Sequence, residues 1–423
     1  MDKLVGFVKS LFKRKSSHGI QEPKQRSWEV PYTTEFTVNP ENSFAVNMFT
    51  ALIAHSRGID ENLAVCPCAI QATLTAILPI VNEQIRMELT KIICSSGRTL
   101  DALQASLDAA STNGALNMVN AVFYSDRYQL LSLRKEDLRT VNDSRSCPSG
   151  TLSTKMEYLV TSLQNIPKEG INLSKSEDGE AVREAAPPHP QLQLASICQF
   201  TGAFERPLFR GGPGTFTCPG SVQKTVDFMF CKYTLGVRYH NVSVTCDNAE
   251  ENDPQMIILN VEGRQSSVML LLPPPKSGET IGSLEERLTV ERLLRWREKS
   301  SELPLHILIP KFRITCSIDL QPVLTAMGMG LLYEEPTAES VDHVLHPSGN
   351  GSPIGEFRQQ IVLDVSEYGV ATSPFRWDRM TPMIAVAGPD FVVDRPFIVI
   401  IWNEIANVPL LIARVTDPAS SLY

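Results

Sequence analysis

The feature that most limits the fold is the succession of strand-sized apolar runs in the second half of the chain. The clearest runs are LQLASICQF, MIILNVEG, SVMLLLP, LPLHILIPKFRIT, QQIVLDVS, FIVIIWNE and PLLIARV. Each is rich in β-branched and large apolar residues and ends at a turn signal. The first third instead shows helical spacing, in NSFAVNMFTALIAH, AIQATLTAILPIV, QIRMELTKII and DALQASLDAAS. Helices early and strands late, without βαβ alternation, predict an α+β fold and disfavour Rossmann and barrel folds.

Two further helical segments lie among the strands. GSLEERLTVERLLRWREKS predicts one helix, and DLQPVLTAMGM predicts another after the PKF strand. The GGPG stretch at 211–214 lacks the Lys-Ser/Thr pair of a phosphate-binding loop, so it predicts a turn between strands. No segment contains the roughly 20 consecutive apolar residues that a membrane-spanning helix needs.

The N-terminal residues 1–41 differ in composition from the rest and predict a basic, partly disordered arm. Residues 1–27 hold seven Lys and Arg against two acidic residues, whereas the whole chain carries a formal charge of −8. The apolar residues that would share one helical face here are Leu4, Phe7, Val8, Leu11 and Phe12. A helix over residues 3–15 would contact a membrane surface, and a disordered basic tail is the alternative. No secretory signal is recognised, so the expected compartment is intracellular, with secretion as the alternative.

The sequence offers no catalytic constellation, cofactor motif or metal site. It contains no G-x-S-x-G elbow and no G-x-G-x-x-G after a strand. Asp342, His343 and His346 could share a turn, but no further well-spaced ligand accompanies them, so no metal is expected. The acidic balance disfavours a nucleic-acid partner. We therefore expect a protein that is not an enzyme and has no cofactor.

The cysteines and glycosylation sequons leave the compartment open. Nine cysteines at irregular spacing, without a C-x-x-C pair, predict mostly free thiols. Cys66-Pro-Cys68 is too short to form a metal site alone. The four Asn-x-Ser/Thr sequons, which would be N-glycosylation sites in a secreted chain, are at Asn142, Asn172, Asn241 and Asn350.

Several segments in a constant order resemble the serpin family, the fold of the serine protease inhibitors. The segments with counterparts in that family are NSFAVNMFTALIA, NLAVCPCAIQATL, LASICQFTGAFERPLF, VMLLLP and LDVSEYG. The most specific are IPKFRITCSIDLQPVLTAMGM and VVDRPFIVIIWNEIANVPLLIARVTDP. The resemblance covers about residues 42–418 and implies one serpin domain over 42–423. That fold has early helices packed on three mostly antiparallel sheets, with an exposed reactive-centre loop at about 367–390.

The resemblance also implies a mechanism. In serpin inhibitors a protease cuts the exposed loop, the loop inserts into the main sheet as a new strand, and the covalently held protease is deformed. Alternate side chains of the inserting segment enter the sheet interior, so the family places small residues after a hinge glycine. Pro is excluded there because it cannot donate a ladder hydrogen bond.

The loop of this chain keeps the hinge and departs from the family pattern beyond it. The residues that match the hinge are Glu367, Gly369, Val370, Ala371 and Thr372, with Val370 where inhibitors carry Thr or Ser. If Val370 faces the sheet interior, then Thr372, Pro374 and Arg376 do so too. Pro374 would remove a ladder hydrogen bond, and Arg376 would bury an unpaired charge. Pro374, Phe375 and Arg376 therefore disfavour full insertion.

The scissile position is not marked by one residue. Counting by the family spacing from the hinge glycine gives Met383, followed by Ile384, and counting back from Pro396 gives a position near Ala385. The exposed alternatives are Arg379 and Met380.

The family also has a polar cluster beneath the sheet, which must open and reclose during insertion. The residues matched here are Cys66, Ala69, Ser196 and Gln359, with Phe204 in place of the Trp at the top of the sheet. These replacements favour a chain in which selection for sheet opening has lapsed. A rebuilt network, with Ser196 and Gln359 paired, is the alternative.

We therefore predict a divergent, monomeric serpin-fold protein that is a non-inhibitory binding or effector module. Its partner would be a protease or another protein. The alternative is a serine-type endopeptidase inhibitor acting through the loop, with its scissile position near Met383. A carrier or chaperone of a small hydrophobic ligand or a client chain is a further rival.

Overall fold

The structure is a computed structural model, and it describes most of the predicted domain. The described residues are 43–56, 58, 60–94, 116–124, 139–142, 152, 156, 192–231, 237–240, 253–274, 279–302, 305–334, 354–370 and 390–419. The predictions that lie outside them concern the arm at 1–41, the loop at 371–389, the helix DALQASLDAAS, Asn172, Asn241, Asn350, and the turn with Asp342, His343 and His346. The fourth sequon residue, Asn142, is the last residue of a strand.

The helices lie where their apolar spacing predicts them. They are α1 (Phe44–His55), α2 (Pro67–Ile77), α3 (Glu83–Ile93), α4 (Ile281–Glu286), α5 (Val290–Glu298) and α6 (Gln321–Ala326). Short 3₁₀ turns lie at Leu78–Ile80, Pro219–Ser221 and Gly330–Tyr333. The single helix expected over GSLEERLTVERLLRWREKS is wrong, because it forms α4 and α5. The Thr289 side chain accepts a hydrogen bond from the Arg292 N–H and so begins a new helix there.

Most of the described strands lie in the second half of the chain, as predicted. They are β1 (Leu63–Val65), β2 (Leu116–Tyr124), β3 (Arg139–Asn142), β4 (Leu192–Phe200), β5 (Gly202–Ala203), β6 (Phe209–Thr217), β7 (Gln223–Cys231), β8 (Val237–His240), β9 (Gln255–Asn260), β10 (Ser266–Leu272), β11 (Ser301–Glu302), β12 (His306–Pro310), β13 (Phe312–Asp319), β14 (Ile354–Ser366), β15 (Gly369–Val370), β16 (Asp390–Val392), β17 (Phe397–Asn403) and β18 (Val408–Val415).

These strands form three sheets, most of whose pairings are antiparallel. The main sheet has the order β3-β2-β4-β14-β15-β5, with β13 paired to the other edge of β14. The second sheet has the order β1-β18-β17-β10-β9-β8-β11, and the third has the order β16-β12-β7-β6. Parallel pairing occurs between β2 and β3, β4 and β14, and β12 and β16. The predicted α+β class with three mostly antiparallel sheets is confirmed.

Helix α2 lies between two of the sheets and positions the candidate site. It contacts β18 of the second sheet, and β2 and β4 of the main sheet. Its inward side chains Ile70, Leu74 and Ile77 are fully buried. Pro67 is the first residue of the helix, where a missing N–H costs nothing because the first turn has no intrahelical partner for it. The residue before it, Cys66, is thereby fixed under the middle of the main sheet.

Two strand predictions need correction. The GGPG stretch at 211–214 does not form a turn but lies inside β6, at an edge of the third sheet. An edge strand tolerates Pro, and the strand has a register shift between Arg210 and Gly212, where a glycine fits the irregular backbone.

The run LPLHILIPKFRIT is two strands in different sheets, divided at Lys311, whose N–H donates to the Asp227 carbonyl at 2.7 Å. Among the helices described, none has the length and apolar character needed to cross a membrane.

Candidate functional site

The centre of the main sheet is a closed parallel pairing of β4 with β14, which we call the seam. It runs from Leu192 opposite Ile354 to Gln199 opposite Val362, with one irregularity between Ile354 and Glu356. Both strands carry largely buried side chains along this length. The seam is where the family resemblance places an inserted strand, so its pairing must separate before the loop can enter.

The hinge of the loop pairs with β14 just beyond the end of the seam. After a turn at residues 367–368, β15 runs back antiparallel to β14, with Val370 opposite Val365. Its other edge pairs antiparallel with β5, where Val370 lies opposite Gly202. The Val370 side chain is fully buried. Gly369 and Val370 are therefore paired on both edges, and Val370 faces the sheet interior.

The backbone around the hinge explains why a glycine is needed at 369. Gly369 has a φ of +137°, a conformation that residues with a side chain rarely adopt. A Cβ there would overlap the Gly202 carbonyl oxygen and lie 2.8 Å from the Ala203 Cα. The turn is held by the Phe204 N–H, which donates to the Tyr368 carbonyl at 2.9 Å. These contacts anchor the hinge through backbone atoms on both sides.

Glu367 and Phe204 complete the hinge. The Glu367 carbonyl accepts from the Leu208 N–H at 2.8 Å, and its carboxylate lies 3.3 Å from the Lys311 ammonium. Phe204 is buried, and its backbone forms an isolated antiparallel β-bridge with Val261, which lies between β9 and β10 of the second sheet. Phe204, matched to the Trp at the top of the sheet, lies beside the hinge and apart from the Gln359 side chain.

A second group lies lower in the seam, around the Gln359 side chain. Its Oε1 accepts from the Cys66 N–H at 2.9 Å, and its Nε2 donates to the Cys66 carbonyl at 3.0 Å. The same Nε2 lies 3.4 Å from the Ser196 Oγ. Gln359 and Ser196 are both fully buried. One amide therefore joins β14, β4 and the start of α2.

Three thiols surround this amide. The Cys66 Sγ lies 3.5 Å from the Cys68 Sγ, and the Cys68 thiol donates to the Leu410 carbonyl at 3.4 Å. The Cys198 Sγ lies 3.5 Å from the Ser196 Oγ and 3.8 Å from the Gln359 Nε2. Burial raises the pKa of Cys198, and the hydrogen bond with Cys66 together with burial raises the pKa of Cys68. Cys66, Cys68 and Cys198 are hereafter called the thiol cluster.

Ala69 is next to the thiol cluster. It is fully buried in α2 and follows Cys68 directly in the first turn of that helix. The Ala69 carbonyl accepts from the Thr73 hydroxyl at 2.9 Å. The structure thus brings Cys66, Ala69, Ser196 and Gln359 together. Sequence reasoning did not select Cys198, although it is two residues beyond Ser196 and therefore on the same face of β4.

The remaining predicted site residues lie outside the described parts of the chain. They are Ala371, Thr372, Arg379, Met380, Met383 and Ile384. Within the described residues, no group of three or more His, Cys, Asp or Glu side chains is arranged to hold a metal ion. The seven described cysteines are Cys66, Cys68, Cys94, Cys198, Cys218, Cys231 and Cys316, and all are free thiols.

Comparison with known proteins gives one consistent result. The family model described as "Serpin (serine protease inhibitor)" matches residues 39–418. Serpin B8 from Bos taurus is 24% identical over 404 residues, which cover 89% of this chain and 98% of that protein. Plasminogen activator inhibitor 2 from Homo sapiens is 26% identical over 234 residues, which cover 54% of this chain and only 53% of that protein.

Solved structures show the same fold at lower identity. Native protease nexin-1 with heparin superimposes with a TM-score of 0.66 and 17% identity, covering 90% of this chain and 98% of that chain. Thyroxine-binding globulin complexed with thyroxine gives the same TM-score of 0.66 and 17% identity, with the same coverage of 90% and 98%. At this identity the likeness concerns the fold.

Proposed function

The chain belongs to the serpin family, and we propose that within it the protein is a binding or effector module that does not trap proteases by loop insertion. The observation that carries this proposal is the register of β15 in the main sheet. Val370 lies opposite Val365 on one side and Gly202 on the other. Any further insertion would continue in this register, because β15 is hydrogen-bonded on both edges.

Continued down the seam, the register would set Pro374 between Ile361 and Cys198. Val370 faces inward, so Pro374 would face inward too, against the thiol cluster. Proline has no N–H to donate to either neighbouring strand, and in the middle of a sheet it removes a ladder hydrogen bond. An inserted strand would therefore lack a backbone hydrogen bond at Pro374, whereas in the family mechanism insertion is favoured by the hydrogen bonds that the new strand forms.

Arg376, the next loop residue that would face the sheet interior, opposes insertion more strongly than Pro374. The same register would set Arg376 between Gln359 and Ser196. The described residues of that row, from edge to edge, are Asn120, Ser196, Gln359 and Ile318, none of which is acidic. The Gln359 amide is already bonded to the Cys66 backbone. A buried guanidinium without a carboxylate costs several kcal/mol, so insertion is expected to stop above this row.

The alternative function is inhibition of a serine-type endopeptidase, with cleavage near Met383. The inserted hinge favours it, because Gly369 and Val370 already occupy the first positions of the extra strand. Relatives named plasminogen activator inhibitor 2 and leukocyte elastase inhibitor favour it too. A protein that binds thyroxine shares the fold, however, so the fold does not require inhibition.

Incubation with serine proteases of trypsin, chymotrypsin and elastase specificity separates the two functions. The wild-type protein should be cleaved in the loop without forming a complex that survives denaturing electrophoresis. A double variant, Pro374→Ala with Arg376→Thr, should gain a rise in melting temperature after cleavage. Phe375→Ala is the matched control, since that position would face outward. A covalent complex between the wild-type chain and any of these proteases would overturn the proposal.

A further inference from the structure

The face of the main sheet turned away from α2, which we call the outer face, carries two buried carboxamide side chains at the seam. Gln359 and Ser196 point towards α2, so the residues that follow them, Gln360 and Ile197, point to the outer face. Gln199, two residues beyond Ile197 on β4, lies on the outer face as well. Gln360 is fully buried, and Gln199 is 8% exposed. Two amide-bearing side chains therefore face the same side across the seam.

Three polar atoms of these two side chains have no hydrogen-bond partner within the described part of the chain. They are the Nε2 and the Oε1 of Gln360 and the Oε1 of Gln199, all of them buried. The large majority of buried side-chain polar atoms in proteins pair with a protein group or an ordered water, because an unpaired one destabilises the folded state. One donor and two acceptors therefore define a site for a small molecule that both accepts and donates hydrogen bonds.

The spacing of the two carboxamides fits one bridging molecule. Gln199 lies opposite Val362, which is two residues beyond Gln360 on β14. With strands about 4.8 Å apart and a rise of about 3.3 Å per residue, the Cα atoms of Gln199 and Gln360 are about 8 Å apart, a diagonal within reach of long side chains. The two carboxamides do not bond each other directly. A molecule between them must therefore contact both.

We propose that the outer face of the seam binds one buried water molecule, which joins Gln360 of β14 to Gln199 of β4. Placed against the edge of the Gln360 carboxamide, the water accepts from the Nε2 and donates to the Oε1. Its second hydrogen goes to the Gln199 Oε1. These three bonds satisfy all three atoms, and about three is the usual number for a buried water. Solvent reaches the site from the side of β13, where Ser317, opposite Gln360, is exposed.

The water holds the seam on the side opposite to the Gln359 amide. A strand that entered between β4 and β14 would move them apart by one further strand spacing, about 4.8 Å. One water could not then contact both carboxamides, so opening of the seam releases it. The site depends only on the closed pairing of β4 with β14, and it is the same whether or not the protein traps proteases. Unfolding stability does not report on it, because immobilising the water offsets its hydrogen bonds and Gln360→Leu fills its place with methyl groups.

The first test is a crystal structure of the full chain at a resolution that shows ordered waters. The expected result is a water within hydrogen-bond distance, about 2.7–3.2 Å, of both the Gln360 carboxamide and the Gln199 Oε1. A direct hydrogen bond between the two carboxamides would overturn the proposal, as would another protein group bonded to the Gln360 carboxamide in place of the water.

The second test counts long-lived buried waters in solution by magnetic relaxation dispersion of water oxygen-17. Gln360→Leu and Gln199→Leu should each hold one such water fewer than the wild-type protein. Gln193→Leu is the matched control, because Gln193 lies on the same face of β4 and its amide already donates to the Glu356 carboxylate at 3.2 Å. An unchanged count in Gln360→Leu, or an equal loss in Gln193→Leu, would contradict the proposal. The crystal structure needs no variant, so it decides the question even if these variants fold poorly.

Discussion

Replacing Gln359 by Leu tests whether the centre of the seam is held by one side chain. The Gln359 amide satisfies both the N–H and the carbonyl of Cys66, at 2.9 and 3.0 Å. Leu has a similar volume and cannot do either. The substitution leaves the buried N–H of Cys66 without its partner at the start of α2, whereas the Cys66 carbonyl still accepts from the Ile70 N–H at 3.4 Å.

The magnitude follows from that one group. An unsatisfied buried donor costs about 1–3 kcal/mol, so Gln359→Leu should lower the free energy of unfolding by about 1–3 kcal/mol. The weaker contact with the Ser196 Oγ, at 3.4 Å, adds little. The effect should exceed that of ordinary surface substitutions, which change the free energy of unfolding by less than about 0.5 kcal/mol.

The adjacent residue supplies the control. Gln360 is also fully buried on β14 but faces the opposite side of the sheet. Its Oε1 and Nε2 both lack a hydrogen-bond partner in the described structure. Replacing it by Leu removes two unsatisfied polar atoms, so Gln360→Leu should be neutral or should raise the free energy of unfolding.

Urea denaturation followed by tryptophan fluorescence measures both variants, with the slope m compared to exclude a change in the unfolded state. The expected order of stability is Gln360→Leu at or above wild type, and Gln359→Leu well below it. If Gln359→Leu lies within about 0.5 kcal/mol of wild type, or if Gln360→Leu is the more damaging change, the assignment of the network is wrong.

Three further predictions concern the hinge, a buried ion pair and the arm. Gly369→Ala should displace β15 from between β14 and β5, because the added Cβ would overlap the Gly202 carbonyl. Amide hydrogen exchange at residues 369–370 should then become fast. Gly330→Ala is the control, since its Cβ would meet only the Thr325 Cγ2 at 3.7 Å. Burial raises the pKa of Glu285 from 4.5 to about 7, although Arg414 lies beside it. The contribution of this group to the free energy of unfolding is therefore fully present below pH 4.5 and is lost as the pH rises through 7. Wild type should lose up to about 3 kcal/mol over that interval in urea titrations, and Glu285→Gln should lack this slope. Deleting residues 1–15 should abolish binding to vesicles of anionic lipid, and unchanged partitioning would contradict the membrane-surface helix.

The strands of the second sheet could be predicted because their burial is uniform. FIVIIWNE and PLLIARV became β17 and β18, whose side chains are nearly all buried. Where a run crosses between sheets, hydrophobicity does not mark the break, so the division at Lys311 was missed. The glycines of β6 were missed for another reason, since an edge strand tolerates residues that a central strand does not.

The candidate site was predictable only in part. An inward Val370 was the premise from which period 2 placed Thr372, Pro374 and Arg376, and the Val370 side chain is buried. That Gly369 and Val370 already pair with both β14 and β5 depends on tertiary contacts. The meeting of Cys66 and Cys198 around the Gln359 amide likewise needs α2 and β4 to pack together. The local spacing could have pointed to Cys198 through Ser196, and nothing local could have placed it near Cys66.

Thermal unfolding before and after a protease cuts the loop within residues 370–386 tests the central claim most directly. If insertion stops above the row of Gln359 and Ser196, the cut protein should melt at the same temperature as the intact one. A large rise in melting temperature after cutting would show that the loop enters the sheet despite Pro374 and Arg376, and would contradict the non-inhibitory account.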